Sequence, residues 1–114
     1  MISTKLYLMQ RLSAMLMAPL VFVHIGVMIY AAKGGLSAVE ILSRTQGSIG
    51  WMFFYGTFVV AVSVHAAIGL RVIVFETFKF KGRGLLLFTW GVFLVLLSLG
   101  LRAVYAVTAV GLTL

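Results

Sequence analysis

The stretch IGWMFFYGTFVVAVSVHAAIGL, residues 49–70, contains no charged residue and carries a histidine, His65, deep inside it. At a helical rise of about 1.5 Å per residue it measures about 33 Å, enough to cross a hydrocarbon core of about 30 Å. A second uncharged run, LSAMLMAPLVFVHIGVMIYAA at residues 12–32, holds the only other histidine, His24, and a third extends over GLLLFTWGVFLVLLSLGL at residues 84–101. In lipid an unpaired backbone amide or carbonyl costs several kcal/mol, so runs of this length are expected as helices. The sequence therefore predicts an all-α integral membrane protein, a three-helix bundle with spans at about 12–32, 49–74 and 84–106, forming one domain over 1–114.

Composition points the same way. The chain has 114 residues, 63% of them hydrophobic and 10% charged, which excludes an ordinary soluble domain. Connections of at most about 16 residues leave no room for a catalytic domain outside the membrane, so any catalysis requires partners. A net charge of +7 would suggest nucleic acid for a soluble protein, but here the basic residues cluster at span ends. Lys5, Arg11, Arg71, Lys79, Lys81 and Arg83 fall on one side, and Lys33, Arg44 and Arg102 on the other. The positive-inside rule places the N-terminus and the 75–84 connection in the cytoplasm and the C-terminus outside.

The N-terminal run, with Met15, Met17, Pro19 and a histidine, makes a poor signal peptide and is expected to be retained. No presequence is visible, which favours a prokaryotic chain in a bacterial inner membrane. Cysteine is absent. That leaves non-covalent imidazole ligation as the available haem chemistry, since thiolate ligands and C-x-x-C-H attachment are excluded. Lys33-Gly34-Gly35 stops the first span. Ser37 to Leu42 reads as a short interfacial helix with Leu36, Val39, Ile41 and Leu42 toward lipid and Glu40 outward. Trp51 and Tyr55 supply an interfacial belt, and Pro19 is expected to kink the first span. Lys79 to Gly84 forms a basic turn suited to a lipid-facing anchor.

A membrane-buried imidazole demands a reason, and the depths of the two histidines narrow it. His24 lies roughly 12 Å and His65 about 24 Å below the outer surface, a difference of roughly 10 Å. Axial ligands of one haem approach the iron at similar depth, so His24 and His65 suit two different haems. Each haem then needs its second imidazole from another chain, a heteromeric or homomeric partner; the first case makes this chain half of a heteromeric anchor. Ser13, Met17, Leu20, His24 and Met28 share a face of the first span, and Phe54, Phe58, Ala61, His65 and Gly69 share one of the second. Gly69 removes bulk where a porphyrin could lie, although ordinary helix packing uses small residues too. Arg71 lies about 9 Å cytoplasmic of His65, within reach of haem propionates, or serves as an interfacial anchor. The alternative for each histidine is a hydrogen-bonded interior packing residue.

These residues resemble the membrane-anchor cytochrome b subunits of succinate dehydrogenase and fumarate reductase. His65-Ala66-Ala67-Ile68-Gly69-Leu70-Arg71 followed by Glu76 is similar to that family's H-x3-G-x-R-x4-[DE] signature, and Gln10-Arg11-Leu12-Ser13-Ala14 to its H-R-x-S-G motif. Gln10 stands where the motif has histidine, Ala14 where it has glycine, and Tyr7 where one-haem relatives carry a quinone-site serine. A histidine in each of the first two spans is similar to the two-haem members, and the Arg11 motif favours the first-named, larger anchor subunit. The resemblance implies that His65 ligates haem b and that Arg11 and Ser13 lie near the quinone site or the propionates. It also implies electron transfer between quinone and a soluble iron–sulfur and flavoprotein pair docked on the cytoplasmic face. Glu76 is expected to pair with Arg71 or a nearby lysine, with proton transfer to quinone as its other role.

A cytochrome b subunit of another respiratory enzyme, such as a hydrogenase or formate dehydrogenase, would normally carry more spans in one chain. A small transporter would line its path with carboxylates, which spans one and two lack. A haem-free structural subunit predicts no Soret absorbance.

Overall fold

Serine opens each of the first three helices. Leu6 N–H donates to Ser3 Oγ at 3.2 Å to start α1 (Thr4–Gly34), Glu40 N–H donates to Ser37 Oγ at 3.2 Å to start α2 (Ala38–Thr45), and Trp51 N–H donates to Ser48 Oγ at 3.2 Å to start α3 (Ile49–Phe78). Each hydroxyl satisfies one of the amides that a helix start leaves unpaired. α4 (Arg83–Val104) begins after Gly82 without a side-chain cap and runs into a π-helical turn, Tyr105–Ala109. These elements come from a computed structural model that describes residues 3–35 and 37–109, with the backbone alone for Ala38 and Ala109. The expected roles of Leu36 and of the C-terminus lie outside the described residues.

α1, α3 and α4 are long and apolar enough to cross a membrane. α1 continues without interruption through Pro19, which sits on its exposed side. α2 is the short helix expected after the first span, displaced a few residues toward the C-terminus; Val39 is exposed, and Ile41 and Leu42 are half-buried. Ser37 and Glu40 form its start, with Ser37 Oγ also donating to Glu40 Oε1 at 2.8 Å, and a carboxylate in the first turn complements the helix dipole.

α3 packs against both α1 and α4, which scarcely touch each other. Its buried residues Ala61, Ser63, Ala67 and Ile68 are mostly small. Small side chains let helix backbones approach where lipid supplies no hydrophobic drive for association. α3 and α4 approach closely at Gly100, where a Cβ would run into Val59. Hydroxyls inside the bundle pair within their own helices: Ser63 donates to Val59 O at 2.7 Å, Thr89 to Leu85 O at 2.8 Å and Thr108 to Val104 O at 2.6 Å. Such back-bonding disposes of a polar group that hydrocarbon cannot solvate.

The two ends of the bundle are built differently. At one end Arg44 Nη2 donates to Gly35 O at 2.9 Å, placing a cation where α1's dipole is negative. Thr45 Oγ1 donates to Val107 O at 2.8 Å and Gly47 N–H to Thr108 O at 2.7 Å, so the segment around α2 is hydrogen-bonded to carbonyls of the turn after α4. At the other, basic end, Lys79 caps α3 in the left-handed region, with φ 58°, and the Phe80 ring packs over Gly84. The remaining surface is strongly apolar, with Phe22 75% and Leu87 71% exposed.

Two stability effects follow from these contacts. Gly100→Val should cost about 1–3 kcal/mol through overpacking against Val59. Thr45→Val should cost about 1 kcal/mol by removing the hydroxyl that donates to Val107 O. Both are read as a lower thermal midpoint of the detergent-solubilised protein, and a midpoint unchanged in Gly100→Val would contradict the α3–α4 contact.

Candidate functional site

Where α1 crosses α3, a cluster of polar groups interrupts the apolar packing. Ser13 is the buried residue of α1, 7% exposed, and its Oγ lies 2.9 Å from Gln10 O and 3.2 Å from His65 Nδ1. Gln10 completes the cluster: its Nε2 stands 3.5 Å from the position a Cβ on Gly69 would take, and its Oε1 is buried without a partner. Residues 10 and 13 share one face of α1, and 65 and 69 one face of α3, as three- and four-residue spacings require. The first-span and second-span motifs thus meet in space through Gln10, Ser13, His65 and Gly69. His65 is half-buried, and its contact with Ser13 uses Nδ1, leaving Nε2 as the nitrogen outside that bond.

His24 sits at a different level in an aromatic setting. Its ring meets Phe58 edge-on at 5.2 Å and Tyr55 at 6.1 Å, and Tyr55 in turn stacks on Trp51 at 5.6 Å. His24 Nδ1 is enclosed and has no hydrogen-bond partner. Ser13 and His24 are eleven residues apart on α1, about 16 Å along the helix. Tyr55 and Phe58 precede His65 by ten and seven residues, about 10–15 Å along α3. The two imidazoles therefore contact the opposite helix at well-separated heights, somewhat further apart than the roughly 10 Å expected from span ends.

Two of the arginines go elsewhere. A helix turns about 100° per residue, so Arg11, one step from Gln10, leaves the α3-facing side. It is exposed, with Nη1 3.2 Å from Tyr7 Oη and its guanidinium 5.9 Å from the centre of the Tyr7 ring. Arg71 is six residues from His65, about 240° around α3, and donates from Nη1 to Thr89 Oγ1 on α4 at 3.4 Å rather than pairing with Glu76. Arg71 and Thr89 line a cavity of about 260 Å³ with Leu6, Ile68, Trp90 and Phe93, between the three long helices at the basic end. The structure brings Ser13, His65 and Gly69 together and leaves Arg11, Arg71 and His24 outside that cluster.

Sequence reasoning missed Gln10 as a buried amide, Thr89 as the partner of Arg71, and Tyr55 as a neighbour of His24. A hydroxyl inside an apolar run was the signal available for Thr89. Tyr55, read as an interfacial residue, faces the first span as well. Among the described residues no three histidine or carboxylate side chains cluster as ligands of a bare metal ion.

The model of the succinate dehydrogenase/fumarate reductase transmembrane subunit family matches residues 1–102. No curated protein and no solved structure matches the chain. The match spans all three long helices through Arg102 and includes the Gln10–Ser13 and His65–Glu76 segments that meet at the α1–α3 crossing. The chain belongs to the succinate dehydrogenase/fumarate reductase transmembrane subunit family.

Proposed function

We propose that this membrane subunit is a cytochrome b-type anchor in which His65 and His24 each give one axial imidazole to a separate haem b. The observation that carries the reading is the Ser13–His65 contact, which engages Nδ1 inside the bundle and leaves Nε2 for an iron. Gly69, one turn beyond His65, adds no side chain of its own, and the space it leaves is taken by the Gln10 amide, which a planar macrocycle at this position would displace. His24, with Nδ1 enclosed against Phe58 and Tyr55, offers a second imidazole at its own height. Haem b, when bound by two imidazoles, supplies a one-electron relay with no open coordination position.

Only these two histidines exist in the chain, so a partner anchor subunit provides the opposite ligand at each level. The broad apolar exterior of α1 and α3 is available to that subunit as well as to lipid. Positive charge at Lys5, Arg11, Lys79, Lys81 and Arg83 orients the basic end toward the cytoplasm of a bacterium. There the iron–sulfur and flavoprotein subunits dock and exchange electrons with quinone through the anchor. Arg11, exposed over Tyr7 at this end, serves propionates or a quinone pocket completed by partner chains, and Arg71 with Thr89 provides donors in the neighbouring cavity.

The test is haem content. Pyridine haemochrome spectra of the complex purified through this chain should give two b haems per anchor pair. His24→Ala and His65→Ala should each remove a different one while the complex stays assembled. One haem, lost in His65→Ala alone, would make His24 a packing residue. Absence of haem, or full haem content in His65→Ala, would overturn the reading.

A further inference from the structure

Ser13 has one hydroxyl proton and two polar neighbours. Gln10 O, at 2.9 Å, is a carbonyl and can only accept, so that contact uses the proton of Ser13 Oγ. Both contacts of Ser13 Oγ are satisfied together only when His65 Nδ1, at 3.2 Å, carries hydrogen and donates to the hydroxyl oxygen. The reverse arrangement, with Ser13 donating to a bare Nδ1, would strip Gln10 O of this donor and turn the imidazole to the tautomer whose Nε2 carries hydrogen. Ser13 is buried and tied to its own helix, so it offers His65 a fixed acceptor rather than a rotating hydroxyl.

We propose that Ser13 is the positioning residue of His65. It holds the imidazole in the Nδ1–H tautomer, presents the Nε2 lone pair for axial ligation, and sets the plane of the ring. This rests on the reading of His65 as a haem ligand and goes beyond it by naming the group across the helix interface that prepares the ligand. Hydrogen bonding at the non-ligating nitrogen also raises ligand basicity, which favours the higher oxidation state of a bound metal. His24 provides an internal contrast, because its Nδ1 has no such acceptor in this chain. Within this chain the two imidazoles thus differ in the acceptor offered to Nδ1.

The test compares Ser13→Ala and Ser13→Thr in the purified complex by redox titration at the b-haem absorption and by electron paramagnetic resonance of the oxidised haems. Ser13→Ala should raise the midpoint potential of the haem that His65→Ala removes, change its low-spin signal as the ring plane relaxes, and leave the other haem untouched. Haem retention at that site should weaken, on the scale of about 10- to 100-fold typical for loss of a ligand's outer partner. Ser13→Thr, which keeps a hydroxyl, should restore potential and signal. Loss of that haem in Ser13→Ala with recovery in Ser13→Thr supports the assignment equally. An unchanged potential and signal in Ser13→Ala would overturn it, as would equal loss in both variants. Full haem content in His65→Ala would instead overturn the underlying ligand reading.

Discussion

A hydrocarbon interior gives no water to an unpaired polar group, and the contact between Ser13 and His65 is how this chain meets that constraint where α1 crosses α3. An imidazole in the middle of an apolar helix would be a liability on its own; paired across the interface it specifies which faces of the two helices meet. Elsewhere in the bundle the chain uses a simpler device. Ser63, Thr89 and Thr108 each return their hydroxyl to a carbonyl one turn back, which satisfies the group without naming a neighbour. Ser13 does both, donating within α1 and meeting a residue of another helix.

Among the described residues, two buried polar atoms on α1 are left without partners, Gln10 Oε1 and His24 Nδ1. Both belong to residues that face α3, one beside Gly69 and one beside Phe58 and Tyr55. Native interiors rarely keep such atoms unpaired, and those that persist mark places where another group belongs. Under the proposed reading, these two heights are where haem and a partner chain would supply the missing groups. Large apolar side chains such as Phe22, Phe53 and Leu87 are exposed, as a surface that meets lipid or another membrane subunit requires.

Much of the fold was legible in the sequence because the bilayer makes length decisive. Residues 12–32, 49–70 and 84–101 could hardly be anything but spans, and the amphipathic pattern of Ser37 to Leu42 pointed to the short helix between the first two. The separation in height of His24 and His65 followed from the helical rise alone. What the sequence hid was rotation and long-range closure. Arg11 neighbours the Gln10–Ser13 face in a motif yet turns away from it, and Arg71, joined to His65 by a sequence motif, swings round α3 to Thr89. Thr45 meeting Val107 across 62 positions, and the π-helical turn that ends α4, leave no local signal at all.

One nitrogen, His65 Nε2, decides whether this crossing is a haem site. A cryo-electron microscopy map of the intact complex, at a resolution that shows imidazole planes and any porphyrin, examines it directly. Ligation predicts porphyrin density beside Gly69 with its iron on His65 Nε2, Ser13 Oγ on Nδ1, and the opposite ligand from a different chain. A map with no porphyrin at this crossing, or with Nε2 rather than Nδ1 turned to Ser13, would contradict it.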